Sequence, residues 1–128
     1  MTDLFCEIYK SEKWNREYAQ YNLSTILKNK FSFGSIVFNG EEAIGFILSN
    51  IFYFGNQKYG KIEEIAIKET YQNLGIGTEL VAQSLQFFYD NACYSVYLEC
   101  QDEIQINNFY IKQGFEKKNS RNFFEILI

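Results

Sequence analysis

The chain has 128 residues, enough for one domain with a sizeable core, and its 47% hydrophobic, 19% aromatic and 22% charged make-up is that of a folded protein, not a disordered one. Twelve basic against sixteen acidic residues leave a net charge of −4, which argues against a broad electrostatic grip on nucleic acid and favours a cationic small partner. With no histidine, Cys/His zinc sites and the usual Ser-His-Asp and Cys-His catalysis are excluded; Cys6, Cys93 and Cys100 stand at no metal spacing, so no metal is expected.

The start, MTDLFCEIYK, is acidic and mixed, unlike a signal peptide. No apolar run approaches the roughly 18 residues that span a bilayer. A cytoplasmic protein with reduced thiols and no membrane partner is expected, and residues 1–128 read as a single domain without linker or repeat.

Residues 3–9 alternate weakly and predict a strand. Residues 12–30 read as helical, with Trp14, Tyr18 and Tyr21 on one stripe, a break at Asn22 and Ser24, and a second short helix carrying Ile26 and Leu27. That stripe is either core packing or a lid facing a substrate. SIVFNGEEAIGFIL predicts a hairpin in which Asn39-Gly40 supplies the two φ > 0 residues of a type I′ turn. The second strand of the hairpin extends to about Phe54, Gly55-Asn56 makes another turn, and KIEEIAI (61–67) returns antiparallel.

A helix over 75–90 follows, then a fifth strand over 94–100. Because a helix crossover joins them, 94–100 should run parallel to 61–67. Residues 103–113 predict a helix closed by Gly114, then a short strand entered at Gly114-Phe115, and a last strand over 122–128. The order β-α(α)-β-β-β-α-β-α-β-β is that of an α/β (α+β) protein with a mixed sheet, not a doubly wound parallel one.

Chemistry concentrates at the corner YQNLGIGT (71–78), between a strand and a helix. A helix N-terminus exposes unpartnered N–H groups and partial positive charge, and together these hold a phosphate without any cationic side chain. Gly75 and Gly77 would let a pyrophosphate approach that backbone, and Gln72 would bridge the loop or donate to a phosphate oxygen. A nucleoside-triphosphate loop is excluded because no Gly-Lys-Ser/Thr follows, and a dinucleotide fingerprint because residue 80 is leucine.

IEEIAIKETYQNLGIGTEL resembles the acetyl-CoA-binding motif of the GNAT N-acetyltransferase superfamily, with Gln72, Gly75 and Gly77 at its fixed places. NNFYIKQGF (107–115) resembles the later motif of that family through Phe109-Tyr110 and Gly114-Phe115, about 30 residues on and in the expected order. The element order is similar to the family fold from end to end. The resemblance implies a mostly antiparallel sheet of about 6–7 strands, helices on both faces, and splayed fourth and fifth strands (61–67 and 94–100) that admit the cofactor.

It also implies a site. The backbone of Ile65, Ala66 and Ile67 would pair with the pantetheine arm of acetyl-CoA, the cosubstrate. The corner, with Gln72 and Asn73 among its cofactor-binding residues, would hold the pyrophosphate on the backbone N–H groups of Leu74, Gly75, Ile76, Gly77 and Thr78. A backbone N–H near Ile67 would polarise the acetyl carbonyl, Asn107 would touch the pantetheine arm, and Tyr110 would act as general acid toward the departing thiolate. Acetyl transfer to an amine also needs a group to accept the amine's proton. Strict alternation places Lys61, Glu63, Ile65 and Ile67 on one face and Ile62, Glu64 and Ala66 on the other. Lys61 stands where some members carry a glutamate; Glu63, on the same face, and Glu99, which resembles a glutamate of ribosomal-protein N-terminal acetyltransferases, rank together as candidate bases, with Glu64 behind them.

The expected activity is acetyl-CoA-dependent transfer to a primary amine of a small molecule or peptide, by direct attack in a ternary complex. The alternative is a non-catalytic acyl-CoA-binding or sensor module of the same fold. Acceptor sites in the family are built from the early helices and loops, here about residues 12–34, and a homodimer is among the assemblies the resemblance implies.

Overall fold

A computed structural model describes residues 3–4, 16–28, 31–118 and 126–127. Among these, four strands form one sheet in the order β1-β2-β3-β4: β1 (Ser32–Asn39), β2 (Glu42–Phe54), β3 (Gln57–Ile67) and β4 (Ser95–Tyr97). Helix α1 (Arg16–Leu27) precedes the sheet, α2 (Ile76–Asp90) joins β3 to β4, and α3 (Ile104–Lys112) follows β4. The β1/β2 and β2/β3 pairs are antiparallel and β3/β4 is parallel, the expected mixed sheet.

The centre of β2 explains why helices cover both faces. Ile44 to Ile51 are all buried, which one-sided packing cannot achieve for a strand whose side chains alternate. Phe46 and Leu48 join Leu4, Leu23 of α1 and Ala66 of β3 in one apolar cluster. Ile47 and Ile51 join Ile62 of β3 and Leu80, Val81 and Phe88 of α2 in the other. A buried hydrogen bond of 2.8 Å between the Ser49 and Ser84 hydroxyls ties β2 to α2 inside that second cluster.

Several expectations need correction. The first hairpin turns on Gly40 and Glu41, since Asn39 pairs with Glu42; of these residues only Gly40 has positive φ, +63°, so the type I′ turn is not formed. Helix α1 runs unbroken through Asn22 and Ser24. Leu23 and Ile26 hold it to the sheet, whereas Tyr21 is 72% exposed; Trp14 and the Tyr18 side chain lie outside the described residues. The strand expected over 3–9 also lies mostly outside them, and its Asp3 and Leu4 are helical. The fifth predicted strand shrinks to three residues and 115–118 form no strand; most of the strands expected over 3–9 and 122–128 lies outside the described residues, among which four of the expected 6–7 strands are seen. Among the described residues, no helix is long and apolar enough to cross a membrane.

Candidate functional site

β3 and β4 pair only at Tyr59–Ser95, Gly60–Val96 and Lys61–Tyr97. Beyond that last rung β3 continues to Ile67 while the chain after Tyr97 leaves the sheet, so the two strands splay as expected. A bulge assists the parting. Leu48 pairs with Glu64 and Ser49 with Ile62, which leaves Glu63 as the extra residue; such an insertion bends its strand.

The bulge also overturns the strict alternation of β3. Ile62, Ile65 and Ile67 all pack on the α2 side, and Ala66 on the α1 side. Leu48, opposite Glu64, belongs to the α1-side core. An inserted residue resets the two-residue period, which alternation alone does not reveal.

The fork opens into a cavity of about 1090 Å³. Its walls are β3 from Ile62 to Ile67, the segment Leu98 to Gln101, the corner at Gln72, Asn73, Gly75, Gly77 and Thr78, and one face of α3. Glu63, Glu99 and Tyr110 are therefore brought to one cavity with the backbone of Ile65, Ala66 and Ile67. Leu74, 67% exposed, and Ile76, packed in the α2-side core, do not line it. Neither does Asn107, whose amide donates to the Asp102 carboxylate at 2.8 Å; Gln105 and Asn108 face the cavity instead.

The corner is built for its shape. Gly75 is the N-cap of α2, with φ +85° and open space where a Cβ would stand. Asn73 also has positive φ, 62°, which asparagine tolerates. Gly77 serves another end: a Cβ there would meet Ile67 and Phe109 side chains at 3.2 Å, so its bareness lets α2 lie against β3 and α3. The Gln72 amide donates to the Ile67 carbonyl at 3.0 Å, which is the loop-bridging reading of that side chain. Glu42 clamps the 3₁₀ turn Glu69–Tyr71 from outside, accepting from Lys68 and from the Tyr71 hydroxyl, each at 3.1 Å. These two bonds, Lys68 first, hold its carboxyl below the usual carboxylate range.

No side chain caps α2. The first intrahelical bond runs from the Glu79 N–H to the Gly75 carbonyl at 3.1 Å, so the N–H groups of Ile76, Gly77 and Thr78 have no backbone acceptor among the described residues. The last turn of α3 abuts this end, where the Gln113 amide donates to the Thr78 hydroxyl at 3.0 Å. Lys112, beside Gln113, is the one cationic side chain on the cavity wall among the described residues. Sequence reasoning missed Lys112, Gln105, Asn108 and the Gln113–Thr78 tie, because helix contacts across the fork have no local signal.

The other end of the fork is acidic. Glu63, Glu64 and Glu99 lie near the vertex, with Glu63 3.6 Å from the Lys61 ammonium. Tyr110 sits edge-on between Phe109 and Phe115, with centroid distances of 5.0 and 5.8 Å. Burial, then the nearby Cys100 and Glu64 charges, push its phenol up to about 12. Tyr110 is among the residues that line the cavity. Burial also raises the Cys100 thiol, helped by Asp102 and opposed by Lys117.

A profile of the Acetyltransferase (GNAT) family matches residues 1–115. The chain belongs to this family. GNAT folds solved experimentally superpose on it closely: the aminoglycoside N-acetyltransferase AAC(6′)-Iy in complex with CoA, at TM-score 0.79 and 16% identity, covering 98% of this chain and 88% of that one. An aminoglycoside acetyltransferase from an uncultured soil metagenomic sample, in complex with sisomicin, gives 0.76 and 16% over 98% and 85%. A putative acetyl transferase from Pyrococcus furiosus gives 0.79 and 15% over 98% and 91%. At these identities the likeness establishes the GNAT fold and leaves the acceptor open.

Proposed function

We propose that this GNAT protein is an acetyl-CoA-dependent N-acetyltransferase acting on a primary amine of a small molecule. The observation that carries the reading is the fork itself. One strand edge is released from pairing after Lys61, and it leads from three carboxylates near the vertex to an uncapped helix N-terminus at the mouth.

Acetyl-CoA fits that arrangement end for end. Its pyrophosphate matches the N–H groups of Ile76, Gly77 and Thr78, held open by the αL backbone of Gly75, with Lys112 near by. Its amide-bearing pantetheine arm matches the released stretch of β3 at Ile65 to Ile67, since an extended chain satisfies a bare strand edge. When bound, acetyl-CoA supplies an activated acetyl thioester. The CoA complex of one neighbour and the sisomicin complex of another support a CoA donor and a small amine acceptor.

This chain's own residues then do the proton work. The incoming amine must lose a proton as its nitrogen takes the acetyl group, and Glu63 or Glu99, directly or through water, accepts it. Tyr110, kept protonated by its buried setting, gives its proton to the departing sulfur. No covalent enzyme intermediate is needed. The carboxylates near the vertex favour a cationic acceptor, in keeping with the overall charge of −4.

The test is a thiol-release assay with acetyl-CoA against a panel of primary amines, run beside titration calorimetry with CoA. Turnover with at least one amine supports the enzyme. Tight CoA binding without turnover across the panel replaces it with a non-catalytic acyl-CoA module, and absence of CoA binding overturns both.

A further inference from the structure

Lys61 stands at the rung after which β3 and β4 separate. Its ammonium lies 3.6 Å from Glu63 Oε2 and 5.7 Å from the ring centroid of Tyr97, its partner across that rung. One cation thus joins the carboxylate of the bulge to the last paired residue of β4. The Lys61 and Glu63 side chains are only 25% and 17% exposed, so their attraction is screened less than that of an open surface pair. A bulged residue stands outside the regular ladder, so the ladder does not set the direction of its side chain. What the Glu63 carboxylate holds therefore decides where it points. Lys61 itself is not on the cavity wall, whereas Glu63 is.

We propose that Lys61 is a positioning residue for acetyl transfer. It aims the Glu63 carboxylate at the acceptor end of the cavity and, through Tyr97, fixes that carboxylate relative to the vertex of the fork. The inference rests on the reading of Glu63 as the base. The amine's proton passes to a Glu63 oxygen, Tyr110 gives up one to the sulfur, and Lys61 exchanges none. A lysine at this place is then part of the catalytic arrangement instead of a lost acid.

The test compares wild type with Lys61→Met, Lys61→Arg, Glu63→Gln and the double variant K61M/E63Q, reading kcat and the KM for acetyl-CoA with the fastest amine of the panel. Lys61→Met is expected to lower kcat about tenfold or more while KM stays within about twofold, because misplacing a reacting group costs rate and not donor binding. Lys61→Arg, which keeps the charge and reach, should recover most of the loss. In the Glu63→Gln background, Lys61→Met should cost nothing further. Wild-type kcat in Lys61→Met, an equal loss in both backgrounds, or a loss of donor affinity alone overturns the inference while Glu63→Gln remains slow. Wild-type kcat in Glu63→Gln overturns the base reading and this inference with it, but leaves the acetyl-CoA reading standing. Lys61→Gln carries the same test in place of a Lys61→Met protein that does not stay folded.

Discussion

In the proposed reaction Tyr110 would owe its role as a proton donor to its surroundings. Among ten tyrosines, it is the neighbouring Phe109 and the Gly114-Phe115 pair downstream that set this one apart in the sequence. Here its ring is wedged by Phe109 and Phe115, the residue lines the cavity, and burial pushes its phenol up to about 12. A phenol raised this far keeps its proton throughout the neutral range, the state a donor needs, and the same shift makes it a weaker acid than an ordinary tyrosine. Tyr110→Phe is expected to lower kcat by about 100-fold with CoA affinity unchanged, checked by steady-state kinetics and calorimetry. The cysteines stand on the other side of the same logic. Burial raises both Cys93 and Cys100, which makes poor nucleophiles of them. Cys100→Ala is expected to retain measurable turnover in the thiol-release assay; complete loss with CoA binding intact would point to covalent catalysis.

Elements in this fold are fitted to each other at bare positions. Phe88 of α2 lies over Gly60 of β3, where an added Cβ would come within 2.5 Å of its ring. Phe88 is 1% exposed and cannot swing into solvent without emptying the core. Gly60→Ala is expected to cost about 1–3 kcal/mol in equilibrium unfolding, the usual range for overpacking. The corner between β3 and α2 depends instead on Glu42 reaching over from β2 to Lys68 and Tyr71. Its folded pKa lies below the unfolded one, so its contribution is present above the unfolded value and lost as pH falls through the depressed folded value. Comparing wild type with Glu42→Gln by chemical denaturation should show a small stability gap at pH 7 that narrows and then closes as pH falls through and below the ordinary carboxylate range.

For the whole molecule, the organising feature is polarity along one cleft. Helix N–H groups and Lys112 stand at the mouth, and Glu63, Glu64 and Glu99 stand near the vertex. Under the proposed function, an anionic donor and a cationic acceptor would be sorted to opposite ends before any specific contact forms. Since the cleft is lined by β3, the segment Leu98 to Gln101 after β4, α2 and α3 together, a ligand in it would stabilise all of them at once. Thermal unfolding is expected to be a single cooperative transition, raised by CoA in proportion to the logarithm of its concentration. At 100 times the dissociation constant the gain is about 2.7 kcal/mol. Separate transitions, or only one of two responding to CoA, would divide the chain into independent units.

Much of this was legible in the residues. The meander followed from turn residues and β-branched runs, α2 and α3 from helical periodicity, and the cofactor corner from Gln72, Gly75 and Gly77 with Phe109-Tyr110 downstream. These are local signals, since each depends on residues within a turn or two of one another. Tertiary structure alone decided the bulge at Glu63, the early end of β4, the commitment of Asn107 to Asp102, and the role of Gly77 as a packing site. Each of those depends on what a distant strand or helix places opposite. Single-strand periodicity carries no record of a partner's register, so Lys61 and Glu63 read as neighbours on one face and only the sheet made them an ion pair at the vertex of the fork.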